Sequence, residues 1–181
     1  EELRDAQGAG DILGRSETII RYYYPPRGEI YDRNGRMLAG NITVYEAGVS
    51  LPLLPNPAEN PDEAAYVREA IAMAAEMYLG RDAQAVLDLL NNPPDKVNFV
   101  RLADYVSTEQ FEALDAKIKA LDQGMEANPL EAISFRAHLG RQYPEGSLAA
   151  NLMGFVTHDE FGYFGVEAKY NNLLSGVPIA L

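Results

Sequence analysis

The chain has 181 residues, 47% of them hydrophobic, enough to bury a core as one domain or as a domain with a subdomain. Its 27 acidic against 15 basic residues leave a formal net charge of −12, with no Lys/Arg cluster able to neutralise phosphates, which argues against nucleic acid as a partner. The absence of cysteine excludes disulfides, thiolate metal sites and cysteine nucleophiles.

Residues 1–16 carry three glycines at positions 8, 10 and 14 and no sustained period, so they read as a frayed helix or coil serving as a linker. The glycine spacing is wrong for a dinucleotide fingerprint, and no strand precedes it. The chain opens on Glu1 rather than Met and has no run of about 18 apolar residues, so neither a signal peptide nor a membrane span is expected within it. It reads as a piece cut from a longer protein. Residues 17–24 are β-branched and aromatic and predict a strand, ended by Pro25-Pro26. Asn34-Gly35 then predicts a two-residue type I′ hairpin, with Glu29–Asp32 entering and Arg36–Ala39 leaving. Ile42–Ser50 alternates well enough for a further strand.

Four prolines between Pro52 and Pro61 mark a junction. A helix is expected beyond it, with Asn60 as N-cap, Pro61 in the first turn, and Asp62 and Glu63 complementing the dipole. Its apolar face would comprise Val67, Ile71, Ala74 and Tyr78, extended by Met73 and Met77, and Gly80 would close it. A second helix is predicted from Asp82 to about Leu90. Residues 96–106 are β-like, and Ser107-Thr108-Glu109-Gln110 is a capping box with Val106 and Phe111 as its hydrophobic staple. The helix it starts would bury Phe111, Leu114, Ile118 and Leu121 and stop at Gly124. Ile133, Phe135, Ala137 and Leu139 alternate with polar residues as a half-buried strand running into Arg141-Gln142-Tyr143-Pro144. Ser147 caps a short helix to Met153, Gly154 stops it, Phe155–Thr157 is a strand, and Val166, Tyr170, Leu173 and Leu174 predict a final helix.

Three segments carry a family likeness: Arg27-Gly28-x-x-x-Asp32-Arg33-Asn34-Gly35-x-x-Leu38-Ala39; Arg141-Gln142-Tyr143-Pro144-Glu145-Gly146 followed by Leu148-Ala149-Ala150 and Gly154; and Gly162-Tyr163-Phe164-Gly165-Val166-Glu167 with Tyr170, Leu174 and Gly176. In this order they resemble the signatures of the membrane-proximal, non-catalytic module of class B penicillin-binding proteins, the pedestal or dimerisation domain. One departure is that Val177-Pro178-Ile179-Ala180 follows where a further glycine is expected. The class is read as α+β. Residues 15–55 and 130–181 would co-fold as a strand-rich anchor platform built from both ends of the chain, and 56–129 would be an inserted, mainly helical head lobe.

The resemblance implies a pedestal that positions a DD-transpeptidase domain for peptidoglycan cross-linking at the extracytoplasmic face of the bacterial cytoplasmic membrane, anchored by an upstream transmembrane helix. It implies as partners that C-terminal domain, a SEDS-type glycosyltransferase, a shape-determining scaffold protein bound between anchor and head, and a second copy in a homodimer. The set expected to hold the platform together is Arg27, Gly28, Asp32, Arg33, Asn34, Gly35, Arg141, Tyr143, Pro144, Gly146, Gly165 and Glu167. Its charged members would form a network joining hairpin, Tyr-Pro turn and final helix, with Tyr143 and Tyr170 packed against it, since a lone buried charge costs several kcal/mol.

Catalysis finds little footing in the residues. None of the six serines has Lys three positions on or Asn two positions on, and none of the four lysines begins Lys-Thr-Gly, so the transpeptidase motifs are missing. His138 and His158 are the only histidines, with no metal-binding spacing, and Asp32-x-Asn34-Gly35 has its glycine too early for an EF-hand. No catalytic residue, metal or cofactor is therefore assigned. Two readings compete with the pedestal: a stand-alone extracytoplasmic binding module that lacks a catalytic half, and an acidic hydrolase of wall glycan using exposed carboxylates such as Glu145, Asp159 and Glu160.

Overall fold

The computed structural model describes residues 22–23, 25–123, 127–146, 150–157, 161–177 and 179–180. The expected linker 1–16, the first part of the 17–24 strand, the Gly124 stop, the Ser147 cap, His158, Asp159 and Glu160 lie outside them. The chain divides into two compact units, Glu29–Gly146 on one side and Glu1–Gly28 with Ser147–Leu181 on the other.

The larger unit contains β2 (Ile30–Tyr31), β3 (Met37–Ser50), α1 (Pro61–Leu79), α2 (Ala83–Asn91), β4 (Phe99–Val106), α3 (Thr108–Asp122) and β5 (Ile133–Gln142). The hairpin's exit and the strand expected at 42–50 are one 14-residue strand, β3, which pairs antiparallel with β2, β4 and β5. That continuity explains why the units divide at 28/29 and 146/147 rather than at 55/56 and 129/130. β4 comes from within the expected helical lobe, yet it pairs with the same strand as β5, so one sheet draws both into a single body.

One face of that sheet meets the helices. Ala47, Val49, Ile71, Ala75, Val86, Leu90, Leu102, Val106, Leu114 and Ile133 form a continuous buried cluster. Tyr45 stacks on Phe111 at 4.0 Å, and Phe111 meets Phe135 edge-on at 5.0 Å. Local sequence rules account for the helix ends. Asp82 accepts from the Ala85 amide at 2.8 Å, and both halves of the Ser107/Gln110 capping box form. Asn60 occupies the N-cap of α1 without a side-chain cap bond, leaving Pro61, Asp62 and Glu63 to favour the start.

Two expectations are corrected here. Met73 and Met77 do not join the buried face: they are 64% and 74% exposed, because Ala64, Arg68, Ile71, Ala72, Ala75 and Leu79 turn the opposite side of α1 inward. The turn after β2 is also not a two-residue type I′ turn. Only Gly35 has positive φ, at +80°, and five residues connect Tyr31 to its partner Met37. The cause is Asp32, whose Oδ1 accepts from the amides of Asn34 at 2.8 Å and Arg36 at 2.9 Å and so stabilises a wider turn.

The smaller unit contains β1 (Tyr22–Tyr23), α4 (Ala150–Met153), β6 (Phe155–Val156), β7 (Gly162–Tyr163), α5 (Gly165–Lys169), α6 (Asn171–Leu174) and β8 (Ile179–Ala180). β1 pairs antiparallel with β8, joining the two ends of the described chain, and β6 pairs with β7. The single final helix expected from the apolar spacing is two short helices broken at Tyr170, where φ is −107°. Among the described residues, no helix is long and apolar enough to cross a membrane.

Candidate functional site

The most deeply buried polar arrangement lies in the smaller unit. Arg27 follows Pro25-Pro26 in an extended stretch and retains 4% exposure, while Glu167, on α5, retains none. Arg27 Nε donates to Glu167 Oε2 at 2.8 Å, and Nη2 approaches the same oxygen at 2.7 Å and the Glu167 carbonyl at 3.1 Å. Nη1 donates to Asn171 Oδ1 at 3.1 Å, and that oxygen also accepts from the Gly162 amide at 2.9 Å. One guanidinium thus ties together residues 140 and 144 positions away in sequence. A buried pair is tolerable when its remaining hydrogen-bonding capacity is satisfied, and the Glu167 carbonyl and Asn171 amide contribute to that here.

The backbone around the pair is shaped to admit it. The Gly28 amide donates to the Leu174 carbonyl at 2.7 Å, closing the Arg27 stretch against α6. A methyl group at Gly162 would collide with the Glu167 carbonyl and lie 2.8 Å from Arg27 Nη2, so only glycine allows this approach. Gly165 begins α5 with φ +63°. Tyr170 is 46% exposed with Lys169 over its ring, so it contributes little burial to the pair.

The other expected residues lie in the larger unit. Asp32 organises the hairpin turn, and its two backbone donors hold its carboxyl below the usual aspartate range. Arg33 and Asn34 are exposed, and Gly35 supplies the one left-handed position of the turn. Arg141 is half-buried on β5 and donates to Asn41 Oδ1 on β3 at 3.3 Å. Tyr143 and Pro144 enter a turn in which the Gly146 amide donates to the Tyr143 carbonyl at 2.9 Å. Arg36 and Glu145 form an ion pair between hairpin and Tyr-Pro turn at 2.6 Å, largely solvent-exposed on the arginine side.

The structure therefore brings Arg27, Gly28, Gly165 and Glu167 into one unit and Asp32, Arg33, Asn34, Gly35, Arg141, Tyr143, Pro144 and Gly146 into the other. Sequence reasoning missed Asn171 and Gly162 as members of the Arg27 site, and Arg36 and Glu145 as the link in the larger unit. Asn171 stands four residues after Glu167, a spacing that places side chains on one helical face and was the available signal. On the sheet, His138 Nε2 lies 2.9 Å from Asp104 Oδ1, and Tyr105 meets its ring edge-on. That accounts for one histidine as a cross-strand partner.

The family described as Penicillin-binding Protein dimerisation domain matches over residues 22–178. Among curated relatives, penicillin-binding protein PbpB of Mycobacterium tuberculosis is 32% identical over an alignment covering 94% of this chain and 24% of PbpB. Peptidoglycan D,D-transpeptidase FtsI of Escherichia coli is 28% identical over 84% of this chain and 23% of FtsI. The chain thus spans about a quarter of the length of these relatives. Among solved structures, a complex between penicillin-binding protein PBP2 and MreC from Helicobacter pylori gives a TM-score of 0.56 at 19% identity, covering 88% of this chain and 30% of that one. The likeness to that structure is one of fold.

Proposed function

The chain belongs to the dimerisation-domain family of class B penicillin-binding proteins, and from that membership we propose that it serves as the non-catalytic pedestal of a peptidoglycan DD-transpeptidase. It sets the height and orientation of a catalytic domain supplied by the remainder of a longer protein, at the extracytoplasmic face of the cytoplasmic membrane and below an upstream membrane anchor. The observation that carries this reading is the Arg27–Glu167–Asn171 cluster. It spends a buried charge pair on joining distant chain segments and offers no nucleophile of its own. Such a joint suits a mount better than a reaction site.

Docking of wall-synthesis partners follows the same logic. One fold neighbour is a PBP2 in complex with MreC, which supports a shape-determining scaffold protein as a partner of this domain. A SEDS-type glycosyltransferase and a second copy of the chain complete the proposed set.

The test uses the full-length protein. Arg27→Ala is expected to leave covalent labelling of the purified enzyme by fluorescent penicillin intact while lowering peptidoglycan cross-linking in cells. Equal loss of both activities in a variant whose circular dichroism is unchanged would assign the pair to the catalytic machinery, and loss of neither would remove the mount.

A further inference from the structure

Helix α1 carries a second apolar stripe, of which only Ala70 packs against the core. Tyr66, Ala70, Met73 and Met77 follow one another at spacings of four, three and four residues, which is the a/d pattern of a coiled-coil seam. Tyr66, Met73 and Met77 are 55%, 64% and 74% exposed. The stripe lines a groove of about 330 Å³ together with Ala74, Tyr78, Leu121, Leu130 and a single cation, Lys117. In the same heptad register, Asp62, Glu69 and Glu76 fall seven residues apart in the flanking position, and all three are exposed. None of the three makes an ion pair among the described residues, so the seam has a continuous acidic border.

We propose that this groove is a docking seam for an amphipathic helix of another polypeptide, with apolar residues at its own a and d positions and Lys or Arg flanking them. Charge selects the occupant. A helix with basic flanks meets Asp62, Glu69 and Glu76 along its length, whereas a second copy of α1 would set acid against acid. Length constrains it too. From Tyr66 to Met77 the seam runs about 17 Å at 1.5 Å per residue, enough for roughly three turns of partner helix. Exposed methionines suit the role, since their unbranched thioethers adapt to a helix face without a preformed pocket for each side chain. The seam lies wholly within Glu29–Gly146 and stands independently of the pedestal reading.

The test measures binding of two designed 21-residue helical peptides to the full-length protein, identical at their Leu a and d positions and differing only in Lys or Glu flanks. The Lys-flanked peptide is expected to bind, with affinity falling as salt rises, and the Glu-flanked peptide to bind at least tenfold more weakly. Met73→Glu with Met77→Glu should abolish binding without changing the circular dichroism, because both side chains are already exposed. Glu69→Lys with Glu76→Lys should reverse the preference between the two peptides. The proposal is overturned if neither peptide binds, if the Met variants bind as before, or if charge reversal leaves the preference unchanged. It is equally overturned if the seam proves to hold a second copy of the chain, seen as self-association that the Met variants eliminate.

Discussion

The two units are stabilised in opposite ways. In Glu29–Gly146 a sheet face and three helices close over side chains such as Ile71, Leu90 and Leu114, each almost fully removed from water, and of its described charged residues only Arg68 is buried with them, donating to the Ala64 and Pro55 carbonyls. Among the described residues of the smaller unit the strands are two residues long and the helices four or five, and the most buried side chain is a glutamate. A hydrophobic core tolerates small losses gradually, because many contacts share the load. An ion-paired centre fails sharply when one partner goes, because the other is left charged and buried.

The largest expected effect is therefore on the smaller unit. Arg27→Ala should destabilise it by about 3–5 kcal/mol, the range for breaking a buried pair from one side. Amide exchange should rise across 161–177. Replacing both partners, with Arg27→Met and Glu167→Leu, should recover much of that loss, since a buried pair and a packed apolar pair are often similar in net stability. If the double variant is as unstable as Arg27→Ala alone, the pair's bonds to Asn171 and to the Glu167 carbonyl outweigh the charge burial.

The matching perturbation of the larger unit is Leu114→Ala, at a side chain with no exposure. It should cost about 2–5 kcal/mol, read from the denaturation midpoint at unchanged slope. Exchange should rise in β3 and β5, the strands that share its core. A loss below about 1 kcal/mol would mean that the helices do not share one core with the sheet.

That contrast also decides what could be read in advance. The α+β class, α1 to α3 and the Ser107/Gln110 capping box were legible because apolar period and capping residues are local signals. The family likeness supplied Arg27 and Glu167 as candidates. Period alone could not, because nothing in the spacing of a buried charge tells it from a solvated one. The domain division was obscured for a different reason. Strand pairing is non-local, and a stretch such as 99–106 gives no hint that it will pair with 45–50 and join helical lobe to sheet. Met73 and Met77 were misplaced because a helix with two apolar stripes looks, in sequence, like one broad face.

The smallest expected effect concerns the hairpin, whose turn is held by an exposed carboxylate accepting backbone amides. Asp32 accepts two backbone amides, and its folded pKa lies below the ordinary aspartate value. The sign follows from linkage. A depressed carboxyl contributes stability that is present above the unfolded pKa, about 3.9, and is lost as pH falls through the folded value. Asp32→Asn keeps a side-chain oxygen for the turn but cannot titrate, so the variant should match the parent most closely at the lowest pH and trail it above pH 5. Because the carboxylate is solvent-exposed, the gap between the two denaturation curves should be small. Unlike the Arg27 pair, it should change with pH without any change in which segments exchange first. A gap that widens as pH falls would reverse the assignment and make the turn depend on the protonated acid.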